Sequence, residues 1–443
     1  MTENIYLKAF EHFEQNGFRS NPSWLKVVRK QAIETFERLG FPTAKDEAWK
    51  YTNLASVART QFQFVTDTAA LTADQIAPFL FGKSNWPRLV FINGNFSKNL
   101  SLIKNISGLT LTNLSETLAK HPEHLKPYLF QYADMKRDAF AALNAAFFHD
   151  GAFIHVSSKT ALEEPIHLLF ISTSSETKPA LNQVRNLIVL EEQSKASVIE
   201  KYVCLNGGEH YFNNSVTEII LNSASHLDYH KLEHESEHGI HIGTTQVNQN
   251  AGSRFVSSSI VVDGGLVRND LNVVLNGEHA ECVLNGFYMA DGEEQVDNHT
   301  LIDHPKPNGK SYQVYKGILT GKSNGVFSGR ILVHQDAQKT DASQTNKNLL
   351  LSKEATMNTK PQLEILADDV KCTHGAAVGQ LEDEAIFYLK TRGIDEPSAS
   401  KLLSYGFANE VINSIRLEPV KEELSRIVRQ KLEGCFADVT HEK

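Results

Sequence analysis

Cys372 and His374 stand two residues apart in the stretch Asp368-Asp-Val-Lys-Cys-Thr-His-Gly375. If this stretch is extended, the period-2 alternation of a strand puts thiol and imidazole on one face. A soft sulfur donor beside an imidazole nitrogen suits zinc, copper or iron-sulfur chemistry. Two ligands are too few, because a closed zinc site takes four and a cluster needs several thiolates. The remaining ligands would come from a partner. The alternative is a buried free cysteine next to a hydrogen-bonded histidine.

Other segments carry chemical residues with weaker spacing. His234-Glu-Ser-Glu-His238 matches the pattern in which two histidines one helical turn apart hold zinc and a glutamate acts as general base. Gly239-Ile-His241 follows it in place of a third-ligand pattern, and the neighbourhood alternates like strands. His226, His230, His234 and His238 all fall on even positions, so an extended ribbon aligns them on one exposed face. A zinc-dependent metalloenzyme built on the His-rich segment 226–241 is the rival reading. Gly317-Ile-Leu-Thr-Gly-Lys-Ser323 resembles a P-loop but has three residues between its glycines where four are required, so no nucleotide is expected there. Any ATP hydrolysis would come from a partner. Asp297, His299 and His304, with Tyr312 and Lys316 nearby, are a candidate polar site, although such residues more often occupy solvated turns. A carbohydrate-active enzyme would want paired acids in a groove.

The elements that position these residues divide into three stretches. The first third reads mainly helical: Asn21 is the expected N-cap, Pro22 suits the first helical position, and Trp24, Leu25, Val28, Ala32, Phe36 and Leu39 keep helical spacing until Gly40 and Pro42. Leu89 to Gly94 reads as a short strand and turn, and a second helix is expected from about Asp138 through Phe147 to Gly151. From about Phe153, extended runs are closed by Asn206-Gly-Gly, Asp263-Gly-Gly, Asn276-Gly, Asn285-Gly, Asp291-Gly, Asn308-Gly and Asn324-Gly, pairs that supply the positive φ of tight turns. Val267, Leu271, Val273 and Leu275 alternate with Arg268, Asp270 and Asn272. Many short strands without helical interludes fit a sandwich, a barrel or a stacked solenoid, and spacing alone does not decide. After Gln380 three helices are expected, the second started by Pro397, the third marked by Val420, Leu424, Ile427, Val428 and Leu432. On the end of a solenoid they would cap it and offer a docking surface.

Composition narrows the function. With 443 residues and 41% apolar content the chain can bury a large core. A formal charge of -9 and no long Lys/Arg run argue against nucleic acid and membrane surfaces as partners. The first residues lack a signal peptide's pattern, and the expectation is a cytoplasmic protein. Cys204, Cys282, Cys372 and Cys435 are far apart and form no Cys-x-x-Cys, so reduced thiols are expected.

The segment 368–394, with Lys339 to Ser352, Lys360-Pro-Gln-Leu-Glu-Ile365, Asp46-Glu-Ala-Trp-Lys-Tyr-Thr-Asn-Leu54, Asp297 to His304 and Ser311 to Gly317, resembles the SufB/SufD family of iron-sulfur cluster assembly scaffolds, most closely its SufD branch. The resemblance spans nearly the whole chain. It implies a mainly β protein in which a right-handed parallel β-helix (151–380) is flanked by an N-terminal mainly helical α/β domain (1–150) and a C-terminal helical domain (381–443). It also implies a scaffold subunit without enzymatic activity of its own, paired with a SufB-like paralogue and bound through its C-terminal helices to a SufC-like ABC-type ATPase; a homodimer is a further option. Cys372 and His374 then correspond to an interface where a transient iron-sulfur cluster or iron is shared with the partner, none being bound by the chain alone. Tyr388, Arg392, Gly393, Ile394 and Phe407 correspond to the ATPase-binding region.

Overall fold

A computed structural model describes residues 3–16, 21–65, 71–81, 85–173, 179–206 and 210–437. The Asn206-Gly-Gly turn runs outside them at Gly207 and Gly208. The N-terminal part holds helices α1 (Glu3–Asn16), α2 (Ser23–Leu39), α3 (Ala55–Arg59), α4 (Ala73–Ile76), α5 (Leu114–Lys120) and α6 (Ala139–Phe147). Between them lie strands β1 (Gln63–Phe64), β2 (Arg88–Ile92), β3 (Asn95–Phe96) and β4 (Leu109–Asn113). Strands then succeed one another: β5 (Ala152–Val156), β6 (Ile166–Ser172), β7 (Ala180–Leu190), β8 (Lys195–Cys204), β9 (Tyr211–Leu221), β10 (His226–His234), β11 (Gly239–Gln249) and β12 (Arg254–Asp263). They continue as β13 (Leu266–Leu275), β14 (Glu281–Ala290), β15 (Gln295–His304), β16 (Lys310–Leu319), β17 (Asn324–Val333), β18 (Asp341–Leu350), β19 (Thr356–Ile365) and β20 (Lys371–Gly379). Helices α7 (Asp383–Thr391), α8 (Glu396–Ile412) and α9 (Glu418–Ala437) follow. Among the described residues no helix is long and apolar enough to cross a membrane.

Odd-numbered strands from β5 to β19 pair in parallel in one sheet and even-numbered strands from β6 to β20 in another, so the chain crosses between sheets at every turn. The result is a parallel β-solenoid of about seven coils. Leu227 pairs with Phe255 and Asn324 with Thr356, so one coil advances the chain by 28 residues in the first case and 32 in the second. Antiparallel β4 and β3 close the near end of each sheet. Val267, Leu271, Val273 and Leu275 face inward as their alternation predicts and pack with Leu284, Ile302, Phe327 and Ile331.

Both outer faces are also covered, which makes many strands apolar on each side. Leu181, Phe212, Ile242 and Leu266 of the odd sheet pack under Phe36, Phe140 and Phe147. Ile199, Leu232, Ile260, Phe287 and Ile318 of the even sheet pack under Val411, Ile412, Val420, Leu424 and Ile427. The C-terminal helices therefore do not cap the solenoid, contrary to expectation. α8 and α9 lie along its flank because their apolar residues match an apolar outer face, and lysines at the seam fix them there: Lys201 bonds Glu423 at 2.6 Å, while Lys316 pairs with Glu410 and Lys431 with Asp263. At the far end, among the described residues, no further strand pairs with β19 or β20, although Lys360 of β19 pairs with Glu47 on the outer face.

Three local expectations change. Pro22, not Asn21, precedes α2, with no side-chain cap, whereas Gly40 ends the helix at φ 64° as expected. Asn285-Gly and Asn324-Gly lie inside β14 and β17. Their glycines serve close packing, since a Cβ on Gly286 would come 2.2 Å from the Tyr315 ring and one on Gly325 2.7 Å from the Met357 sulfur. At Asn308-Gly the positive φ belongs to Asn308.

Candidate functional site

β20 places Cys372 beside Ala342 and His374 beside Gln344 of β18, and both neighbours point into the solenoid. Cys372 and His374 thus share the inward face of the last coil, roughly 6.6 Å apart along the strand. No further coil covers them. Cys372 is half-buried against the end of the core and His374 is exposed, so the pair sits at an open mouth. Met357 and Leu363 of β19 also pack on the core there, and Thr359 donates to the Asn346 side chain at 2.8 Å. Behind His374, Gln344 donates to Gln313 at 3.1 Å.

Burial, reinforced by Asp341, pushes the Cys372 thiol up from its ordinary range. The raised value favours the protonated thiol over the thiolate. The mouth thus presents one sulfur and one nitrogen toward solvent.

The C-terminal residues separate into two places. Phe387 and Tyr388 on α7 are 68% and 58% exposed, with the Arg392 guanidinium 5.3 Å from the Tyr388 ring. Gly393 follows at φ 83° and Ile394 is half-buried. Phe407, on α8, instead is half-buried against the flank, with the Lys316 ammonium 4.4 Å from its ring.

The His-rich segment is β10, a turn that holds His238, and the start of β11, not a helix. His226, His230 and His234 lie on the outer face of the even sheet, where His230 is 2% exposed and His234 meets Asp263 at 2.9 Å. Lys231 and Glu233, one residue out of phase, point inward with Glu235 and His241. His241 Nδ1 lies 2.7 Å from Glu235, its Nε2 3.2 Å from Glu233, and Lys231 3.1 Å from Glu233. This buried ionic knot was not read from the sequence; the polar residues at odd positions of β10, where apolar ones were due, were its only signal. Among the described residues no three His, Cys, Asp or Glu side chains are placed to hold a metal ion, so the geometry lends no support to a zinc enzyme here.

The residues around Asp297 are not brought together. Asp297 and His299 lie 2.9 Å apart on the outer face of the odd sheet, His304 turns inward to Ser311 at 2.9 Å, and Lys316 holds α8 on the opposite flank. Asp297 instead bonds Arg268 and Thr52, clamping the segment 46–52, whose Trp49 ring lies 3.7 Å from the Arg268 guanidinium. Gly317 to Ser323 spans the end of β16 and the turn into β17, without the helix N-terminus that cradles phosphate in a P-loop.

Comparison with known proteins covers nearly all of the chain. Residues 170–407 match the family model described as SUF system FeS cluster assembly, SufBD core domain, and residues 1–168 match the SufBD protein N-terminal region. The chain is 33% identical over 408 residues to an iron-sulfur cluster assembly SufBD family protein of Synechocystis, covering 90% of this chain and 89% of that protein. It is 31% identical over 440 residues to the iron-sulfur cluster assembly protein SufD of Escherichia coli, covering 97% of each. The SufD of Bacillus subtilis is 27% identical over 443 residues, covering 96% of this chain and 97% of that protein.

Proposed function

This chain belongs to the SufBD family of SUF-system iron-sulfur cluster assembly proteins, like SufD in kind, and on that premise we propose that it is a scaffold subunit completed by a SufB-like paralogue. One observation carries the reading: the solenoid is closed at its near end, while at its far end no further described strand pairs with β20, where Cys372 and His374 share a mouth. An uncovered strand edge is a template for pairing with another chain. A paralogous solenoid set against it would bring the missing ligands to the thiol and imidazole, so that iron or a nascent cluster is held as shared cargo and not by this chain alone.

The exposed α7, with Phe387, Tyr388 and Arg392, is the surface we assign to a SufC-like ATPase, Gly393 and Ile394 continuing it and Phe407 setting the seat of α8. The ATPase then supplies the hydrolysis, in the cytoplasm. Co-expression of the tagged chain with SufB-like and SufC-like proteins tests this. Expected are a three-component complex that assembles clusters and an isolated chain without ATPase activity. Failure to capture either protein under conditions where the isolated chain is folded would overturn it.

A further inference from the structure

Asp297 and His299 stand two residues apart on β15, so both project from the outer face of the odd sheet. They line the floor of a cavity of about 230 Å³ between that face and the segment 46–52. Ser328 of β17 and Lys360 of β19 follow His299 in register across the sheet, and Asn358 of β19 follows Asp297. Tyr51 walls the cavity from the other side, and the exposed ion pair of Glu47 with Lys360 stands at its rim.

One atom of each floor residue is left unanswered. Asp297 is 1% exposed, and its Oδ2 accepts from Arg268 at 2.7 Å and from Thr52 at 2.6 Å, but its Oδ1 accepts no hydrogen bond. His299 Nε2 is buried too and lies 2.9 Å from that oxygen, without the alignment of a hydrogen bond. Two donor atoms held side by side on one ion, each at about 2.1 Å, stand about 3.0 Å apart. Charge points the same way. Arg268 is shared between Asp297 and Asp270, and Glu47 cancels Lys360, so one negative charge is left over when His299 takes the neutral form in which imidazole binds metals.

We propose that this cavity is an exchangeable site for a divalent transition-metal cation, held by Asp297 Oδ1 and His299 Nε2 with water in its remaining positions. A carboxylate oxygen beside an imidazole nitrogen suits Mn²⁺, Fe²⁺ or Zn²⁺. Two protein ligands are fewer than a closed centre uses, so the ion stays replaceable. The cavity has room for several waters, and Ser328, Asn358 and Gln362 line it as hydrogen-bond partners for them. The site lies on the other sheet from Cys372 and His374, on an outer and not an inner face, and stands whether or not a second subunit pairs with this chain.

Titration of the full chain with Mn²⁺, read by the electron paramagnetic resonance of the free ion, tests it. The parent should bind one ion with a dissociation constant of ~0.1 mM or tighter, and a chain carrying both Cys372→Ala and His374→Ala should bind it equally well. His299→Gln removes the nitrogen ligand, should melt like the parent, and should weaken binding ~10-fold or more. Ser328→Leu leaves both ligands in place, fills the space of their waters and should show the same loss; it decides the matter should His299→Gln not fold. Parental affinity in a folded His299→Gln or Ser328→Leu chain overturns the site. So does loss of binding with Cys372→Ala and His374→Ala, or a parent chain that leaves Mn²⁺ free at about 1 mM.

Discussion

Replacing Lys231 by methionine keeps the length of a side chain that sits inside the solenoid and removes its charge. The Lys231 ammonium lies 3.1 Å from the Glu233 carboxylate and 2.5 Å from the Asn269 carbonyl oxygen, and its side chain is 5% exposed. Two carboxylates, Glu233 and Glu235, face Lys231 and His241, and the Lys231 ammonium is the cation set against Glu233. Lys231→Met leaves one negative charge uncompensated. Breaking a buried pair from one side costs about 3–5 kcal/mol, and the orphaned Asn269 oxygen about 1–3 kcal/mol. The two losses share one partner and do not add, so about 4 kcal/mol is expected. Removing both charges with Lys231→Met and Glu233→Gln should recover at least half of that loss, because no charge is then left unpaired. Urea unfolding followed by the strand signal in circular dichroism reads both. A single variant within about 1 kcal/mol of the parent, or a double variant no better than the single, would refute the reasoning.

Cys372→Ala and His374→Ala remove exposed or half-exposed groups, so the isolated chain should stay within about 1 kcal/mol of the parent while cluster formation by the full complex falls roughly tenfold or more. Normal assembly by both variants, measured by absorbance of the reconstituted cluster, would sink the half-site. Burial pulls His230 and His304 down to about 4, Asp228 opposing this at His230. Depressed histidines favour the folded state above the unfolded value near 6.5 and withdraw that support as pH falls toward 4, about 2 kcal/mol each at pH 5. Asp150, raised to about 6 by burial, works the other way and regains about 1 kcal/mol between pH 7 and 5. Net stability should therefore drop on acidification from pH 7 to 5, and a flat or rising curve would contradict these burials. Gly286→Val drives a side chain into the Tyr315 ring, 2.2 Å from the new Cβ, and should cost about 1–3 kcal/mol in the same unfolding assay.

The alternation around Val273 and the helical spacing of α9 were legible because each has one apolar face to bury. The shared face of Cys372 and His374 followed from strand geometry alone. The coil repeat was not legible, because an advance that varies between 26 and 34 residues smears any fixed period. The resting place of α8 and α9 was hidden for another reason: their stripe shows that they bury something, not whether it is the end or the side of the solenoid. The burial of Glu233 and Glu235 went unread because a charge on a strand reads as solvated, and only the opposite sheet, with His241, shows it to be enclosed. Asn285-Gly and Asn324-Gly failed as turns since glycine answers two needs, positive φ and missing bulk, that a sequence writes identically.

Every inner coil is gripped by a neighbour above and another below, but β19 and β20 have one each. In a stack whose cohesion passes between adjacent layers, the outermost layer is the first to fray. The thiol and imidazole ride on that layer, so on the proposed pairing their alignment would tighten as a second protein presses against it. Ordering of the last layer and arrival of the companion would then be one event, and a solitary chain would present the thiol and imidazole only loosely.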